Sequence, residues 1–452
     1  MLSLYIKRIV TIVFLLLMIL GHTPQGLIAS PRLPNVASEM ERPEFWIKKI
    51  ENPSNPLLTP EKIQKMNEEN LKRKNLLLCR VKDLKENWTR EEILSFLKRD
   101  WEDFGESAEV RFSKNGTPLR ESFWIELKNK LNQESLRETN RMLYSLVVKR
   151  TDIRVFPTDE LSMSAPHYFE FDHFQHSSIS PGSPIGIYHF SKDKEWAYIQ
   201  APFIRGWIRT HDLAITKEKM EVVDYEEARN RLVVTGNFIN IFDEPSLRKI
   251  IFIAQMGDTF PLLNKPDGTQ PNNTCYIIQI PSRDENGQLI FRKGYIRTDE
   301  DVHQGFLPYT QENVARQAFK ILNHPYGWGD MFGGRDCSRF IMDIFRTFGI
   351  LMPRNTREQA KVGIDLGKSS NQAIPLATIL RQPDHVMLYL GKDKGRYYII
   401  HSIWGIQNRR KSGVVLEKIG KVVVSDLSLG RSGPHGSFLH RLTDIRFVGE
   451  EK

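Results

Sequence analysis

The period of apolar and polar positions changes several times along the chain, and each change predicts a different kind of element. Lys7 and Arg8 precede an apolar run from Ile9 to Leu20, and the small residues Ala29 and Ser30 follow it. A run this short between such flanks predicts an export signal over residues 1–30, with an uncleaved N-terminal anchor as the alternative. Pro31, Pro34, Pro43, Pro53, Pro56 and Pro60 then predict an extended arm without regular elements. From 61 to about 147 the spacing turns helical, with one helix starting over Glu61–Glu68 and another over Arg90–Leu97.

Between about 150 and 300 short alternating runs are separated by close turns, the pattern of small β-barrels, here expected over 148–220 and 221–303. Both units end alike, on Gly206-Trp207-Ile208-Arg209 and Gly294-Tyr295-Ile296-Arg297, which reads as a tandem repeat. In the last segment, 304–452, Phe340, Ile341, Ile344, Phe345 and Phe348 recur at three- and four-residue spacing and predict one amphipathic helix closed by Gly349. Downstream, His385–Leu390 and Tyr397–Ile403 alternate as two strands of a hairpin. A three-residue loop, Lys392–Lys394, would place Gly391 opposite Gly395 and His385 opposite His401; a slip of one residue would put the two rings on opposite faces.

Composition changes this picture little. At 452 residues, 26% charged and 40% hydrophobic, the chain has the make-up of an ordinary globular protein with three or four domains. The cysteines, 79, 275 and 337, are too few for a disulfide framework, and their odd number leaves at least one thiol free in an exported chain. A Cys79–Cys275 bridge is disfavoured because the two fall in different units. The net charge of +9 suits a polyanionic surface such as a cell wall. Nucleic acid is the competing partner, but the basic residues are scattered and there is no aromatic-basic motif. No metal-ligand spacing is present, so neither a metal nor a cofactor is expected.

Candidate chemistry converges on the stretch from Tyr326 to Ser338, an aromatic, glycine-rich loop that ends on Cys337 at the start of the predicted helix. Glycines let backbone approach a substrate closely, and the unsatisfied N–H groups and positive dipole end of a helix lower a thiol's pKa. Alone, Cys337 reads equally as a small core residue with Asp336 as a plain helix cap. A cysteine nucleophile needs an imidazole in reach and a group that fixes the tautomer of that imidazole, and the hairpin offers both in His385 and His401.

Tyr326-Gly327-Trp328-Gly329, Arg335-Asp336-Cys337-Ser338, Asp384-His385-Val386-Met387-Leu388-Tyr389-Leu390-Gly391 and His401-Ser402-Ile403-Trp404-Gly405 together are similar to the catalytic domain of the NlpC/P60 family of bacterial cell-wall cysteine peptidases. The two β-rich units resemble bacterial SH3-like (SH3b) barrels, and residues 31–147 resemble the helical clip domain of one branch of that family. The resemblance implies a multidomain α+β chain, with a papain-like catalytic domain behind two SH3-like barrels and a mainly helical N-terminal segment. It implies Cys337 as nucleophile, His385 as general base and acid, and His401 as the group orienting His385. Tyr326 and Trp328 would border the substrate, with Tyr326 helping to hold the oxyanion, while Asp336 and Ser338 would grip the peptide's free amine and backbone. Position 330 carries Asp where the family usually has glycine.

The implied activity is hydrolysis of peptidoglycan stem peptides at the γ-D-glutamyl–diamino acid bond, on muropeptides with a free N-terminal L-Ala. The implied setting is the periplasm, cell envelope or exterior, as a monomer that meets membrane only through its N-terminal signal. An N-acetylmuramoyl-L-alanine amidase and a non-catalytic wall-binding protein are the alternatives. The barrels would either bind wall polymers through exposed Trp and Tyr or shape the mouth of the cleft, with the loop His167–His176 as the candidate contact.

Overall fold

The structure, a computed structural model, describes residues 32–265, 275–367 and 372–450, and the export signal expected over 1–30 lies outside them. Among the described residues, no helix is long and apolar enough to cross a membrane. The proline-rich arm is not wholly irregular. Pro43 opens a short helix, Pro43–Ile47; proline is tolerated at this first position because its missing N–H has no intrahelical partner to lose. The helix delivers Trp46 to a buried site where Nε1 donates to the Met40 carbonyl at 2.9 Å and the ring packs on Tyr398 at 5.3 Å. Tyr398 in turn donates to the Asn35 carbonyl at 2.8 Å, so the arm straps the C-terminal sheet.

Helix Pro60–Lys72 is capped by Thr59. Helix Arg90–Phe104 begins with a capping box in which Thr89 and Glu92 satisfy each other's backbone N–H groups at 3.2 and 3.0 Å. With helix Glu121–Lys130 it places Ile93, Leu97, Trp124 and Leu127 in a core shared with Phe156, Phe174, Trp196, Tyr198 and Trp207 of the first β-unit. The N-terminal helices therefore cover these five aromatics of the unit, which are not offered to a polymer.

Two seven-stranded antiparallel sheets follow. Numbering the strands within each unit, both run in the order 3-2-6-5-4-1-7. The tandem repeat read from the Gly-aromatic-Ile-Arg endings is thus a repeat of topology, and each ending lies in the sixth strand, Ile204–Arg209 or Leu289–Arg297. The first sheet takes its opening strand from Leu143–Val147, ahead of the boundary expected at 148. That segment pairs on both sides, with Pro184–Phe190 and with Leu213–Thr216, and so belongs to the sheet rather than to the helices before it.

The C-terminal domain is a six-stranded antiparallel sheet in the order Ile364–Asp365, Asp444–Phe447, Thr378–Gln382, His385–Asp393, Arg396–Arg410, Gly413–Asp426, with helix Cys337–Arg346 packed on its central strands. The hairpin register differs from the expected one. A two-residue Lys394-Gly395 turn, both residues at positive φ, pairs Asp393 with Arg396, three positions out of phase with the expected pairing. A bulge between Tyr389 and Gly391 then returns one residue, so Leu388 pairs with Ile400 rather than Tyr398. The net offset of two keeps His385 and His401 on one face, diagonal instead of opposite.

Helix Cys337–Arg346 is buried on every side up to its last residue. Its apolar stripe faces the sheet, as the spacing predicts. Its polar side holds a buried ion cluster that reaches the second β-unit: Asp343 binds Arg339 at 2.6 Å and Arg335 at 2.7 Å, and accepts from Gln255 of that unit at 3.2 Å.

Candidate active site

Tyr326–Ser338 owes its shape to close backbone approaches. A Cβ on Gly334 would lie 2.6 Å from the Gly327 nitrogen, so the two ends of the loop touch only as glycines. Ser402 pins the loop to the central strand by donating to the Arg335 carbonyl at 2.6 Å. Asp336 caps the helix by accepting from the Arg339 N–H at 2.8 Å, which leaves Cys337 as the first helical residue.

Cys337, His385, Tyr326 and Trp328 border one cavity of about 410 Å³, together with Phe171 and Trp404. His385 Nε2 meets His401 Nδ1 at 2.7 Å, and His401 Nε2 meets the Ser425 hydroxyl at 3.0 Å. His401 is fully buried behind His385, and Phe438 packs against both rings. Nε2 of His385 is thus taken, and among the described residues nothing bonds its Nδ1. If His401 donates from Nε2 to Ser425, its Nδ1 accepts from His385 Nε2–H, and the Nδ1 lone pair of His385 is free to take a proton.

The electrostatics contradict one expectation. The helix start does not dominate the thiol: burial pushes Cys337 up to about 12, the Asp336 carboxylate adds to this, and the Val386 and Ser338 backbone and the Arg354 charge offset only part of it. Burial also lowers His385 to about 3, with a further push from Arg441, and lowers His401 well below the usual imidazole range. The resting site is a neutral thiol beside neutral imidazoles. Burial likewise raises Tyr326, with Cys337 and Asp336 adding to the effect, so its phenol stays a neutral donor.

Asp336 and Ser338 do not border the cavity. They lie beneath it, where Arg354 donates to both Asp336 oxygens at 2.6 and 3.2 Å and to Ser338 Oγ at 2.8 Å. Arg354 escaped the sequence reading because nothing in its surroundings, Met352-Pro353-Arg354-Asn355, marks it as buried. Ser425 carried a faint signal, a single hydroxyl after Val422-Val423-Val424.

The first barrel reaches the cavity through the loop 167–176. Phe171 packs on Trp328, Trp404 and Tyr326 at 5.3, 5.4 and 6.4 Å, and Trp328 Nε1 donates to the Asp172 carbonyl at 3.1 Å. Lys418 links Glu170 of that loop, at 3.2 Å, to the Trp404 ring, at 4.0 Å. Asp330 joins barrel and site more deeply: one oxygen accepts from Ser177 Oγ and Ser178 N at 2.9 and 3.1 Å, and its carboxylate pairs with Arg339 at 3.2 Å and Arg354 at 3.1 Å.

Comparison with known proteins agrees with this architecture. Residues 323–418 match the NlpC/P60 family model, and residues 163–209 match an SH3 domain of the SH3b1 type. Over 143 residues, 29% of this chain, the sequence is 30% identical to a gamma-D-glutamyl-L-lysine dipeptidyl-peptidase of Bacillus subtilis, and the match spans 48% of that relative's length. An NlpC/P60 endopeptidase from Photobacterium damselae subsp. piscicida superposes with a TM-score of 0.69 at 18% identity, covering 89% of this chain and 96% of the other, so the two share a fold across nearly their whole lengths. The chain thus carries an NlpC/P60 domain, residues 323–418, set behind an SH3b domain that includes residues 163–209.

Proposed function

We propose that this protein is a cysteine endopeptidase of peptidoglycan stem peptides, cutting the γ-D-glutamyl–diamino acid bond of muropeptides with a free N-terminal L-Ala. The observation that carries the reading is the 2.7 Å His385–His401 bond, which leaves Nδ1 of His385 free at the edge of the cavity that holds Cys337. The Cys337 sulfur attacks the scissile carbonyl as its proton passes to His385 Nδ1, so thiolate and imidazolium form during the reaction rather than before it. Tyr326 donates to the developing oxyanion. His385 then protonates the leaving amine and activates the water that clears the acyl-enzyme, while His401 holds its ring. The name of the Bacillus subtilis relative and the first unit's loop at the cavity edge both favour released muropeptides over intact wall.

Incubation with L-Ala-γ-D-Glu-diamino acid peptides and with intact sacculi tests this. The expected product is the L-Ala-D-Glu dipeptide, with no product from Cys337→Ala and little solubilisation of sacculi. An intact stem peptide released from muramic acid would instead identify an amidase. Hydrolysis that survives in Cys337→Ala would sink the nucleophile assignment.

A further inference from the structure

A second cavity, of about 530 Å³, lies at the far end of helix Cys337–Arg346, where the N-terminal segment, both barrels and the C-terminal domain meet. Phe203 and Met342 line it, with charged groups of both signs: Arg80, Arg229, Arg231 and Arg346, and Glu226, Glu227 and Asp258. These charges are only loosely matched: Arg346 pairs with Asp258 at the long end of ion-pair range, and Glu226 has the Val81 backbone and the Arg80 charge beside it. Asp258 is 1% exposed; its Oδ2 accepts from the Gln255 N–H at 2.9 Å, but Oδ1 has no hydrogen-bond partner among the described residues, and Arg346 stands 3.9 Å away. Glu226 Oε2 and Arg80 Nε are likewise buried atoms without a hydrogen bond among the described residues, Arg80 Nε having only a 3.7 Å ion pair with Asp83. Burial pushes Glu226 up to about 7, raises Asp258 and lowers Arg346, which is the direction expected where charged forms lack compensation.

Buried polar atoms in native proteins are nearly always paired, and a cavity of this size with apolar lining residues and a few convergent polar groups has the make-up of a small-molecule site. We infer that it is a second binding site, for a dipolar ligand of the amino-acid or short-peptide class. The ligand's ammonium would go to Asp258 Oδ1 and Glu226 Oε2, its carboxylate to Arg80 and Arg346, and its aliphatic body to Phe203 and Met342. A ligand with one charge satisfies half of the set and leaves the other half with its loose ion pairs only. Met342 and Arg346 sit on the helix that begins with Cys337, so occupancy ties that helix to the other three segments and raises the thermal midpoint.

Calorimetric titration of the full chain with the dipeptide L-Ala-D-Glu tests the site, with N-acetyl-L-alanine and L-alaninamide as singly charged probes. The dipeptide is expected to bind one equivalent here and to raise the midpoint, with each singly charged probe at least tenfold weaker. Glu226→Gln and Arg80→Met change partly exposed side chains and preserve the fold; each should weaken the dipeptide at least fivefold, and Asp258→Asn should do so more strongly. No binding would mean that the cavity holds water only and would overturn the inference. So would an affinity unchanged in both Glu226→Gln and Arg80→Met, since the dipeptide would then occupy the catalytic cleft. Neither result depends on hydrolysis, so the site stands or falls separately from the proposed activity.

Discussion

Replacing Asp330 by the family's glycine sets two effects against each other. Asp330 sits at φ 67°, in the left-handed region, where a side chain costs roughly 1–2 kcal/mol that glycine would not. Against that relief stands the loss of a buried carboxylate that serves Arg339, Arg354, Ser177 and Ser178 at 2.9–3.2 Å. Although burial raises its pKa, the Arg354, Arg339 and Arg150 guanidiniums outweigh this and hold it below the usual carboxylate range, so the group is ionised and paired. Removing one member of a buried pair costs about 3–5 kcal/mol, because the partner charge stays buried without it. The network therefore wins, and Asp330→Gly should be destabilised by roughly 1–4 kcal/mol.

Denaturant unfolding of wild type, Asp330→Gly and Asp330→Asn measures the effect. Asparagine tolerates the backbone and keeps the serine contacts but loses the charge, so it should also fall below wild type. Because a depressed pKa stabilises above the unfolded value of 3.8 and is lost on acidification, the gap between wild type and both variants should narrow as the pH falls below about 4. Crossing Asp330→Gly, which removes the serine contacts, with Ser177→Ala should give a coupling of about 0.5–3 kcal/mol. An Asp330→Gly protein as stable as wild type would refute the reasoning, since it would mean that strain, not the ion network, dominates at this position.

Alkylation of Cys337 by iodoacetamide, read by peptide mass, should accelerate about tenfold per pH unit from 7 to 9, because the thiol pKa near 12 lies above that range. A rate flat with pH would reveal a preformed thiolate–imidazolium pair. Ser425→Ala leaves a buried His401 nitrogen without its partner, a cost of about 1–3 kcal/mol, and frees the wrong tautomer. Its kcat/KM should fall roughly tenfold with Ser425→Thr near wild type, and an unchanged pH–rate profile and rate in Ser425→Ala would remove Ser425 from the relay. Phe171→Ala should open the wall formed with Trp328 and Trp404 and admit N-acylated stem peptides, which mass spectrometry of the products would detect; continued rejection would place the selectivity elsewhere.

What could be read from the chain and what could not divides along physical lines. The thiol, the two imidazoles and the apolar stripe of the Cys337 helix are local patterns whose residue types and spacing carry their own meaning. The hairpin register shows how narrow that margin is. The turn is one residue shorter than its glycines suggest, and only the bulge at Leu390, made possible by Gly391 at φ 135°, restores the face that His385 shares with His401. Ser425, Arg354 and the thiol's raised pKa depend on burial by distant segments, which no local pattern encodes. Position 330 shows the same limit: an Asp in a glycine's place reads as a loop irregularity until Ser177 and Ser178 arrive from a strand more than 150 residues earlier.

The Cys337 helix carries the architectural consequence. Periodicity identifies its apolar face, and the usual corollary is that the opposite face meets water. Here that face holds Arg339 and Asp343, each with 0% side-chain exposure, bonded on one side to Ser178 O of the first barrel and on the other to Gln255 of the second. Charges so placed cannot be left bare without a penalty of several kcal/mol per ion, so the helix that presents the thiol is stable only with both barrels in place. The two β-units are therefore parts of the candidate site's foundation rather than modules tethered to it, and a separated C-terminal domain would lose the geometry that places Cys337.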